Sequence, residues 1–587
     1  MRLEDYWGVG PKTAALLREE LGESEAIAAI EAVDGRTLAE AGLSRGRATR
    51  ILRRAAGGEG LDLLATRDAR AVYRDLVGLM EEYAVTDHAA DRVRVLTPLA
   101  DRERVTERLD RTERAVDSWT ALDETTREAV LAAFAEHDST GGEADAVETA
   151  LALLDTGVSG GVFDPLSELD GDRLDEAATA LRALPDGDGR VGEGADDMLD
   201  RLRESLGAVE DLRADAAGVV EAVKSGARDA SEFRDALLSY VTRETGVEAE
   251  LVRETMPREA AAADTFVTES LRALAGGLRE QVDDREREVR KRLREAVEDG
   301  REDVDDAVAV VDDLAFELSV ARFAVAFELT RPDLAGDDGG EGVLAVRGAR
   351  NLELVDRGES VQPVEYGLGP HTLDIDAPRD DRVAVLTGAN SGGKTTLLET
   401  LAGVALLAHM GLPVPAAEAQ VSLVDRLVFH RRHASFNAGV LESTLRSVVP
   451  PVTEQGRTLL LVDAFEAITE PGSAANLLHG LLTLAVERGA LGVFVTHLAE
   501  DLEPLPDTAR TDGIFAEGLT PDLELEVDYQ PRFGTLGRST PEFIVSRLVA
   551  EATDANERAG FEVLARAVGQ EAVQRTLADA RWSEDGE

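Results

Sequence analysis

The chain has 587 residues, a formal net charge of −53 and no cysteine. The lack of cysteine excludes disulfides, thiolate chemistry and cysteine-based zinc sites, and a hydrophobic content of 43% is too high for a disordered acidic protein. With no secretory leader pattern and no run of about 18 apolar residues, we expect a cytoplasmic protein of roughly three or four domains without a membrane span.

The basic residues are almost all arginine. Lysine occurs at four positions only, which are Lys12, Lys224, Lys291 and Lys394. Dense carboxylate along the whole chain with so little lysine is typical of cytoplasmic proteins from extreme halophiles. In molar salt the Debye length falls to about 3 Å, so the self-repulsion of the carboxylates is screened. An acidic scaffold from a mesophile is the alternative.

Residues 1–56 are predicted to form a compact DNA-binding unit. The segment Gly8-Val-Gly-Pro-Lys-Thr places two glycines in a tight turn before a helix, and residues 43–52 look like a degenerate second copy. This pattern resembles the helix-hairpin-helix pair of DNA-processing proteins, in which amides at a helix N-terminus face a phosphate. A small protein-docking domain is the alternative. The candidate DNA-binding residues are Gly8, Gly10, Lys12, Arg45 and Arg47.

Residues 60–335 are predicted to form a helical core with lever arms. Stretches near 199–226 and 264–300 are long enough for a pair of antiparallel helical arms. A basic cluster in the second stretch alternates with glutamates, which favours a solvated, ion-paired face over a DNA contact. The cluster consists of Arg285, Arg287, Arg290, Lys291, Arg292 and Arg294.

Residues 343–550 contain a complete phosphate-binding loop of the pattern GxxxxGK[ST]. Its residues are Gly388, Ala389, Asn390, Ser391, Gly392, Gly393, Lys394 and Thr395. In such loops the backbone amides hold phosphate oxygens, the lysine reaches the β- and γ-phosphates, and the hydroxyl holds Mg²⁺. The apolar run 382–387 predicts a buried strand before the loop, and the apolar spacing over 397–408 predicts a helix after it. This strand–loop–helix order predicts ATP and Mg²⁺ as ligands.

Two further apolar runs end in polar residues with a nucleotide role. Residues 458–463 predict a strand ending in Asp463, which would hold the Mg²⁺ hydration shell at the edge of a parallel sheet. Residues 491–497 predict a strand ending in Thr496 and His497, and His497 would sense the γ-phosphate. A strand-end histidine without such a role is the alternative. The tail, 551–587, looks helical and carries no motif.

Together these motifs resemble the MutS family, particularly its MutS2-like branch. The segments that carry the resemblance are residues 349–351, 387–396, 410–416, 435–442, 463–471, 496–497 and 537–541. The resemblance implies a multidomain α plus α/β protein with a C-terminal P-loop ATPase domain of the ABC/MutS type. It also implies a homodimer in which Ser435 of one chain approaches the γ-phosphate bound by the other.

Two positions depart from the family pattern. Relatives carry a glutamate after the metal-binding aspartate to polarise the attacking water, and this chain has Ala464 there. Glu466 lies two residues further on and is the candidate substitute. Ala434 stands where relatives have serine, with Ser435 beside it. We therefore expect slow ATP hydrolysis, or hydrolysis that uses another base.

Our main hypothesis is a MutS2-type, DNA-dependent ATPase whose DNA binding is non-specific or structure-selective, without sequence specificity. No mismatch-recognition domain precedes the helical core, and residues 551–587 are too few for a nuclease-like domain, so we expect neither mismatch reading nor DNA cleavage. The alternative is a non-hydrolytic, ATP-gated DNA clamp or scaffold, which Ala464 favours. A transporter-type ATP-binding subunit or a chromosome-structure ATPase is a third possibility, weakened by the short arms and the lack of a membrane segment.

Overall fold

The chain folds into two compact units in a computed structural model. Unit 1 comprises Met1–Arg127, Gly160–Val162 and Asp313–Glu587, and unit 2 comprises Glu128–Ser159 and Phe163–Asp312. The part of the chain that the structure describes consists of residues 3, 9–31, 34–137, 142–184, 190–225, 229–258, 262–336, 341–388, 393–431, 438–463, 471–519, 525–537, 541–552, 554–569 and 573. Within these ranges, no helix has both the length and the apolarity needed to cross a membrane.

Four short helices open unit 1 and share a small core. They are α1 (Pro11–Glu20), α2 (Glu23–Glu31), α3 (Gly35–Glu40) and α4 (Arg45–Gly57). Pro11 stands at the first position of α1, where its fixed φ suits the first turn and its missing N–H costs nothing. Leu17, Ile30 and Ile51 bring α1, α2 and α4 to one buried cluster. This four-helix arrangement is compatible with the helix-hairpin-helix unit, which stays a prediction.

Three helices that follow in the chain pack on the core of the α/β domain. They are α5 (Arg67–Glu81), α6 (Asp87–Arg94) and α7 (Arg102–Ala121). The hydroxyl of Thr66, just before α5, donates to the carbonyl oxygen of Phe429 over 2.7 Å and also accepts from the amide of Ala69. Tyr73 and Met80 of α5 are buried in the same cluster as residues of the α/β sheet.

The main sheet of unit 1 has six strands in the order β10-β9-β4-β8-β7-β6. The strands are β4 (Val383–Gly388), β6 (Arg426–His430), β7 (Thr458–Val462), β8 (Leu491–Val495), β9 (Ala509–Leu519) and β10 (Leu525–Arg532). All neighbours are parallel except β9 and β10. Val383 and Val385 face one buried cluster while Ala384 and Leu386 face another, since successive strand residues point to opposite faces. Strands β4, β7 and β8 are buried at every residue. Their nearly continuous apolar sequences are typical of parallel strands covered on both faces.

Helices and a smaller sheet complete unit 1. The helices are α17 (Leu352–Asp356), α18 (Lys394–His409), α19 (Ala438–Thr453), α20 (Pro471–Glu487), α21 (Pro541–Glu551) and α22 (Ala555–Val568). The smaller sheet has the order β1-β5-β2-β3. Its strands are β1 (Asp333–Ala335), β2 (Leu344–Ala349), β3 (Val364–Leu368) and β5 (Glu418–Ser422).

All regular secondary structure among the described residues of unit 2 is helical. Its helices are α8 (Glu124–His137), α9 (Glu143–Asp155), α10 (Gly171–Ala183), α11 (Asp197–Ala214), α12 (Ala216–Lys224), α13 (Ala230–Thr245), α14 (Ala249–Thr255), α15 (Ala263–Asp299) and α16 (Arg301–Ala326), of which α8 begins and α16 ends in unit 1. Helices α11 and α15 run antiparallel, because Arg203 pairs with Glu286 while Glu210 pairs with Arg279.

The basic cluster of α15 is an ion-paired surface. Asp196 accepts hydrogen bonds from Arg285 and Arg292, and the Arg285 bond holds the pKa of that carboxyl well below its usual range. Five of the six basic side chains predicted to be solvated have carboxylate partners within ion-pair distance. They are Arg285, Arg287, Arg290, Lys291 and Arg292. Their charge is therefore largely compensated within unit 2.

Candidate functional site

The phosphate-binding loop begins at the end of the central strand β4. Gly388 has φ of +126°, and a Cβ atom there would lie 2.0 Å from the carbonyl oxygen of Ile514. Only glycine fits this position, since both the backbone conformation and the neighbouring strand exclude a side chain. Residues 389–392, which include Ala389, Asn390, Ser391 and Gly392, lie outside the described residues.

Lys394 opens helix α18 and points back to the start of the loop. Its side chain is buried, and its Nζ donates to the carbonyl oxygen of Gly388 over 3.0 Å. Gly393, the residue before the helix, has φ of +70°. The ammonium group and the amides at the helix N-terminus thus converge on one region, which is an arrangement that attracts phosphate.

Thr395 and Asp463 meet at the neighbouring strand end. The hydroxyl of Thr395 donates to a carboxylate oxygen of Asp463 over 2.6 Å. Asp463 directly follows β7, which is separated from β4 by β8 alone, and its side chain is 5% exposed. A hydroxyl and a carboxylate oxygen held this close are ligands that suit Mg²⁺.

His497 lies on the same cavity as these groups. The cavity has a volume of about 430 Å³, and its lining includes Lys394, Thr395, Asp463 and His497. Thr496, before it, donates its amide to the carbonyl oxygen of Leu386 over 3.1 Å, which ties the end of β8 to β4. The structure thus brings together four residues that are spread over more than 100 positions of the sequence.

Several residues of this cavity were not predicted from the sequence. Tyr529 of β10 is 43% exposed at the cavity, and a Cβ on Gly393 would lie 2.9 Å from its ring. The side chain of Gln362 accepts from the amide of Tyr529 over 3.1 Å. Asn351, in a segment that the family resemblance had marked, donates to the hydroxyl of Thr400 in α18 over 3.3 Å. No local pattern identified Tyr529 or Gln362, because a single exposed aromatic or amide residue carries no periodic signal.

A buried ion pair supports the strand next to the loop. Both carboxylate oxygens of Asp512 accept from Arg510, over 3.0 and 3.1 Å, and one accepts from the hydroxyl of Tyr366 over 2.9 Å. Burial raises the pKa of Asp512, and the Arg510 guanidinium opposes that shift. Because buried charges require such partners, this cluster orients β9 against β4 and β3.

Gly537, in the predicted C-terminal ATPase motif, lies against the start of the phosphate loop. Its amide donates to the hydroxyl of Thr387 over 2.7 Å, and that hydroxyl donates to the carbonyl oxygen of Asp512. A Cβ on Gly537 would lie 2.9 Å from the Cα atoms of Gly388 and Gly513. The backbone of this segment therefore packs directly on the strand that carries the loop.

We expect Gly537→Ala to lower the free energy of unfolding by about 1–3 kcal/mol, the usual cost of an overpacked site. Nucleotide affinity should fall as well, since the methyl group displaces the start of the loop. Thermal unfolding and binding of a labelled ATP analogue measure the two effects. Gly560→Ala is the control, because its Cβ would meet nothing within 4 Å. Parent-like stability and affinity in Gly537→Ala would contradict the packing argument.

The predicted DNA-binding residues are partly described. Lys12 and Arg47 are exposed in the first turns of α1 and α4, and Gly10 precedes α1. Gly8 and the side chain of Arg45 lie outside the described part of the chain. The same holds for the predicted nucleotide residues Ser435 and Glu466, and for Ala464.

Comparison with known proteins relates part of the chain to MutS proteins. Residues 384–449 match the family model of MutS domain V. The chain is 46% identical over 209 residues to the DNA-binding protein MutS2 of Pyrococcus furiosus, covering 35% of this chain and 36% of that protein. It is 34% identical over 212 residues to the DNA mismatch repair protein MutS 2 of Halobacterium salinarum, covering 34% and 22%. It is 26% identical over 398 residues to the Endonuclease MutS2 of Halalkalibacterium halodurans, covering 64% and 48%. The chain thus spans half or less of the length of these relatives.

Proposed function

Because the chain belongs to the MutS family and is of the MutS2 type, we propose that it is a DNA-binding ATPase that takes ATP with Mg²⁺. The observation that carries the proposal is the meeting of Lys394, Thr395, Asp463 and His497 on one cavity at the carboxyl edge of a parallel sheet. Ligands of α/β proteins bind at this edge.

The residues present fit a Mg²⁺–nucleotide. Gly388 and Gly393, at the two ends of the loop, both have positive φ, a conformation that glycine adopts readily. The Nζ of Lys394 lies at the start of the loop, where it donates to the carbonyl oxygen of Gly388. Thr395 and Asp463 would hold the metal, whose charge stabilises the phosphate oxygens as the γ-phosphoryl group is transferred to water. Tyr529, next to Gly393, would pack on the nucleoside. His497 would donate to or orient the γ-phosphate.

We also propose that the chain acts as a homodimer, with Ser435 of each copy reaching the γ-phosphate of the other. Three of the large apolar side chains exposed among the described residues lie on the packed pair α21 and α22, and this surface is our candidate for the dimer contact. They are Ile544, Val563 and Leu564, which are 50%, 56% and 49% exposed.

Ile544→Ser is expected to weaken self-association, because an exposed apolar side chain contributes to binding only if a partner covers it. Sedimentation in molar potassium chloride, with and without ATP, measures the monomer–dimer ratio. Val325→Ser, at another exposed apolar position outside these helices, serves as control. An unchanged ratio in Ile544→Ser would exclude this surface.

The DNA contact is proposed for the N-terminal helices. The backbone amides at the starts of α1 and α4 supply phosphate donors that need little net charge. This matters because a charge of −53 repels DNA, and molar salt removes most of the affinity that counterion release provides.

Removal of residues 1–56 should weaken DNA binding and leave ATP binding intact. Fluorescence anisotropy with duplex, branched and mismatched DNA in molar potassium chloride measures the loss. The truncation also exposes Val95, which packs in the core of these helices. The milder double substitution of Lys12→Gln with Arg47→Gln tests the same DNA contact and leaves Val95 covered. Equal DNA affinity of all three proteins would refute the contact.

Ala464 favours a second candidate, a clamp whose shape is set by bound ATP without hydrolysis. The two candidates differ in steady-state ATP turnover in high salt, measured with and without DNA. Measurable turnover that DNA stimulates supports the ATPase, and binding without turnover supports the clamp.

A further inference from the structure

A second charged cavity lies in unit 1, at the opposite end of α18 from the nucleotide site. It has a volume of about 310 Å³ and is lined by parts of α6, α7 and α16 together with Leu412. Four of its lining residues are arginines and two are glutamates. They are Arg92, Arg104, Arg108, Arg111, Glu107 and Glu317. An excess of arginine is unusual in a chain with 116 acidic and 63 basic residues.

Arg108 is the innermost of these arginines. It is half-buried, and its guanidinium donates to the carbonyl oxygen of Met410 over 2.9 Å. Among the described residues, no carboxylate lies within ion-pair distance of Arg108 or of Arg104. Burial, with the nearby charges of Arg104 and Arg111, lowers the pKa of Arg108 to about 10. The charge of Arg108 is therefore poorly compensated by the chain itself.

The remaining charges leave the cavity positive. Arg111 pairs with Glu317 over 2.7 Å, and Arg92 pairs with Asp313 over 2.8 Å, which accounts for two of the four arginines. Glu107 is exposed, and burial raises the pKa of Glu317. Arg104 and Arg108 thus line the cavity without a carboxylate at ion-pair distance among the described residues, and the lining holds four arginines against two glutamates.

The walls of the cavity are held in place by α18. The amide of Leu99 donates to the carbonyl oxygen of His409 over 2.8 Å. The ring of His409 in turn bonds the carbonyl oxygen of Leu99 and the amide of Val424. A Cβ on Gly411, which has φ of +67°, would lie 2.8 Å from the Cβ of Arg108, so α7 packs closely on the end of α18. Arg108 is therefore held in place by both its backbone packing and its bond to Met410, which lowers the entropic cost of binding.

We propose that this cavity binds a small tetrahedral oxyanion, either a phosphate ion or the phosphoryl group of a small metabolite. Arg104 and Arg108 supply the charge, and Arg111 borders the same opening. Guanidinium groups suit this ligand because their planar N–H donors match the oxygens of a phosphate in pairs. The site is separate from the phosphate loop, since the 16 residues of α18 place about 24 Å between the two ends of the helix.

Equilibrium dialysis with radiolabelled inorganic phosphate tests the proposal at constant, molar ionic strength. The full chain carries Lys394→Ala throughout, so that the phosphate loop does not contribute. We expect saturable binding of one phosphate per chain. Adding Arg104→Gln should weaken it by about tenfold or more, as for the loss of one charge-assisted hydrogen bond.

Arg114→Gln is the matched control, because it removes the same charge from an exposed position of α7 that does not line the cavity. Its phosphate affinity should stay within about twofold of the parent's. Without phosphate, Arg104→Gln should unfold at the parent's temperature, since Arg104 is exposed and makes no ion pair among the described residues. No phosphate binding, or equal binding by Arg104→Gln and the parent, overturns the proposal.

Ribose 5-phosphate in the same experiment distinguishes the two sources of the anion. The cavity has an apolar wall that includes Leu96, Phe316 and Val320. If the sugar phosphate binds more tightly than inorganic phosphate, and Arg104→Gln weakens both, the ligand is a phosphorylated metabolite. If the two bind equally and both depend on Arg104, the ligand is the free ion.

Discussion

Replacing Lys394 by alanine is expected to abolish ATP binding while the protein remains folded. The ammonium group of Lys394 lies at the start of the phosphate loop, where it donates to the carbonyl oxygen of Gly388. Hydrogen bonds to charged groups contribute about 1.5–3 kcal/mol each, so losing contacts to two phosphates should weaken binding by at least about 100-fold. Alanine is a strong helix former, so α18 should keep its first turn. Equilibrium binding of a labelled ATP analogue with Mg²⁺ measures the loss.

Lys224→Ala provides the matched control for this measurement. Lysine is rare in the chain, and Lys224 is an exposed residue of α12 in unit 2 whose ammonium pairs with Asp264 at 3.5 Å. The control removes the same charge without touching the cavity. Circular dichroism of both variants checks folding. Parent-like ATP affinity of a folded Lys394→Ala protein would refute the assignment of the site.

Replacing Ala464 by glutamate is expected to raise ATP turnover by about 10²-fold or more, within the usual range for a general base. In the family that the chain resembles, a glutamate directly after the metal-binding aspartate polarises the attacking water. Here Asp463 is in place at the end of β7, bonded to Thr395, so the missing carboxylate is the simplest limit on hydrolysis. Steady-state turnover at matched ATP saturation measures the gain.

Glu466→Gln distinguishes the two explanations of this departure. If no residue has replaced the lost base, Glu466→Gln leaves turnover near that of the parent, which is the result that we expect. If Glu466 has taken over, Glu466→Gln abolishes hydrolysis and Ala464→Glu adds little. If both variants behave like the parent, neither residue handles the water, and the proposed mechanism at this position is wrong.

Much of the nucleotide site could be predicted from local patterns. An apolar run followed by Gly388 and Lys394, and a second run ending in Asp463, each lie within a few residues of sequence, and their chemistry depends on that spacing. The resemblance to the MutS family rests partly on the same segments, and residues 384–449, which include Gly388 and Lys394, match the family model of MutS domain V. Lys394 and Asp463 lie on one cavity because the parallel strands that precede them end at the same edge of the sheet.

The remaining features depended on contacts between distant parts of the chain. Tyr529 reaches the nucleotide cavity because β10 pairs with β9, and no periodicity in the sequence places it there. Helices α5 to α7 precede the ATPase segment by more than 200 residues, yet Tyr73 shares a core with Leu401 of α18. Likewise, Arg108 donates a hydrogen bond to Met410, although the chain between these two residues includes the whole of unit 2.

The physical reason is the range of the forces involved. Hydrogen bonding along the backbone and side-chain spacing determine a helix, a strand or a loop within about ten residues. A motif can therefore be recognised from the local amino-acid sequence. Which elements then meet is decided by burying apolar surface, and that force is non-directional and leaves no local pattern. The phosphate loop belongs to the first kind of feature. The arginine cavity belongs to the second, because its charged side chains come together only when α6, α7 and α16 pack against the end of α18.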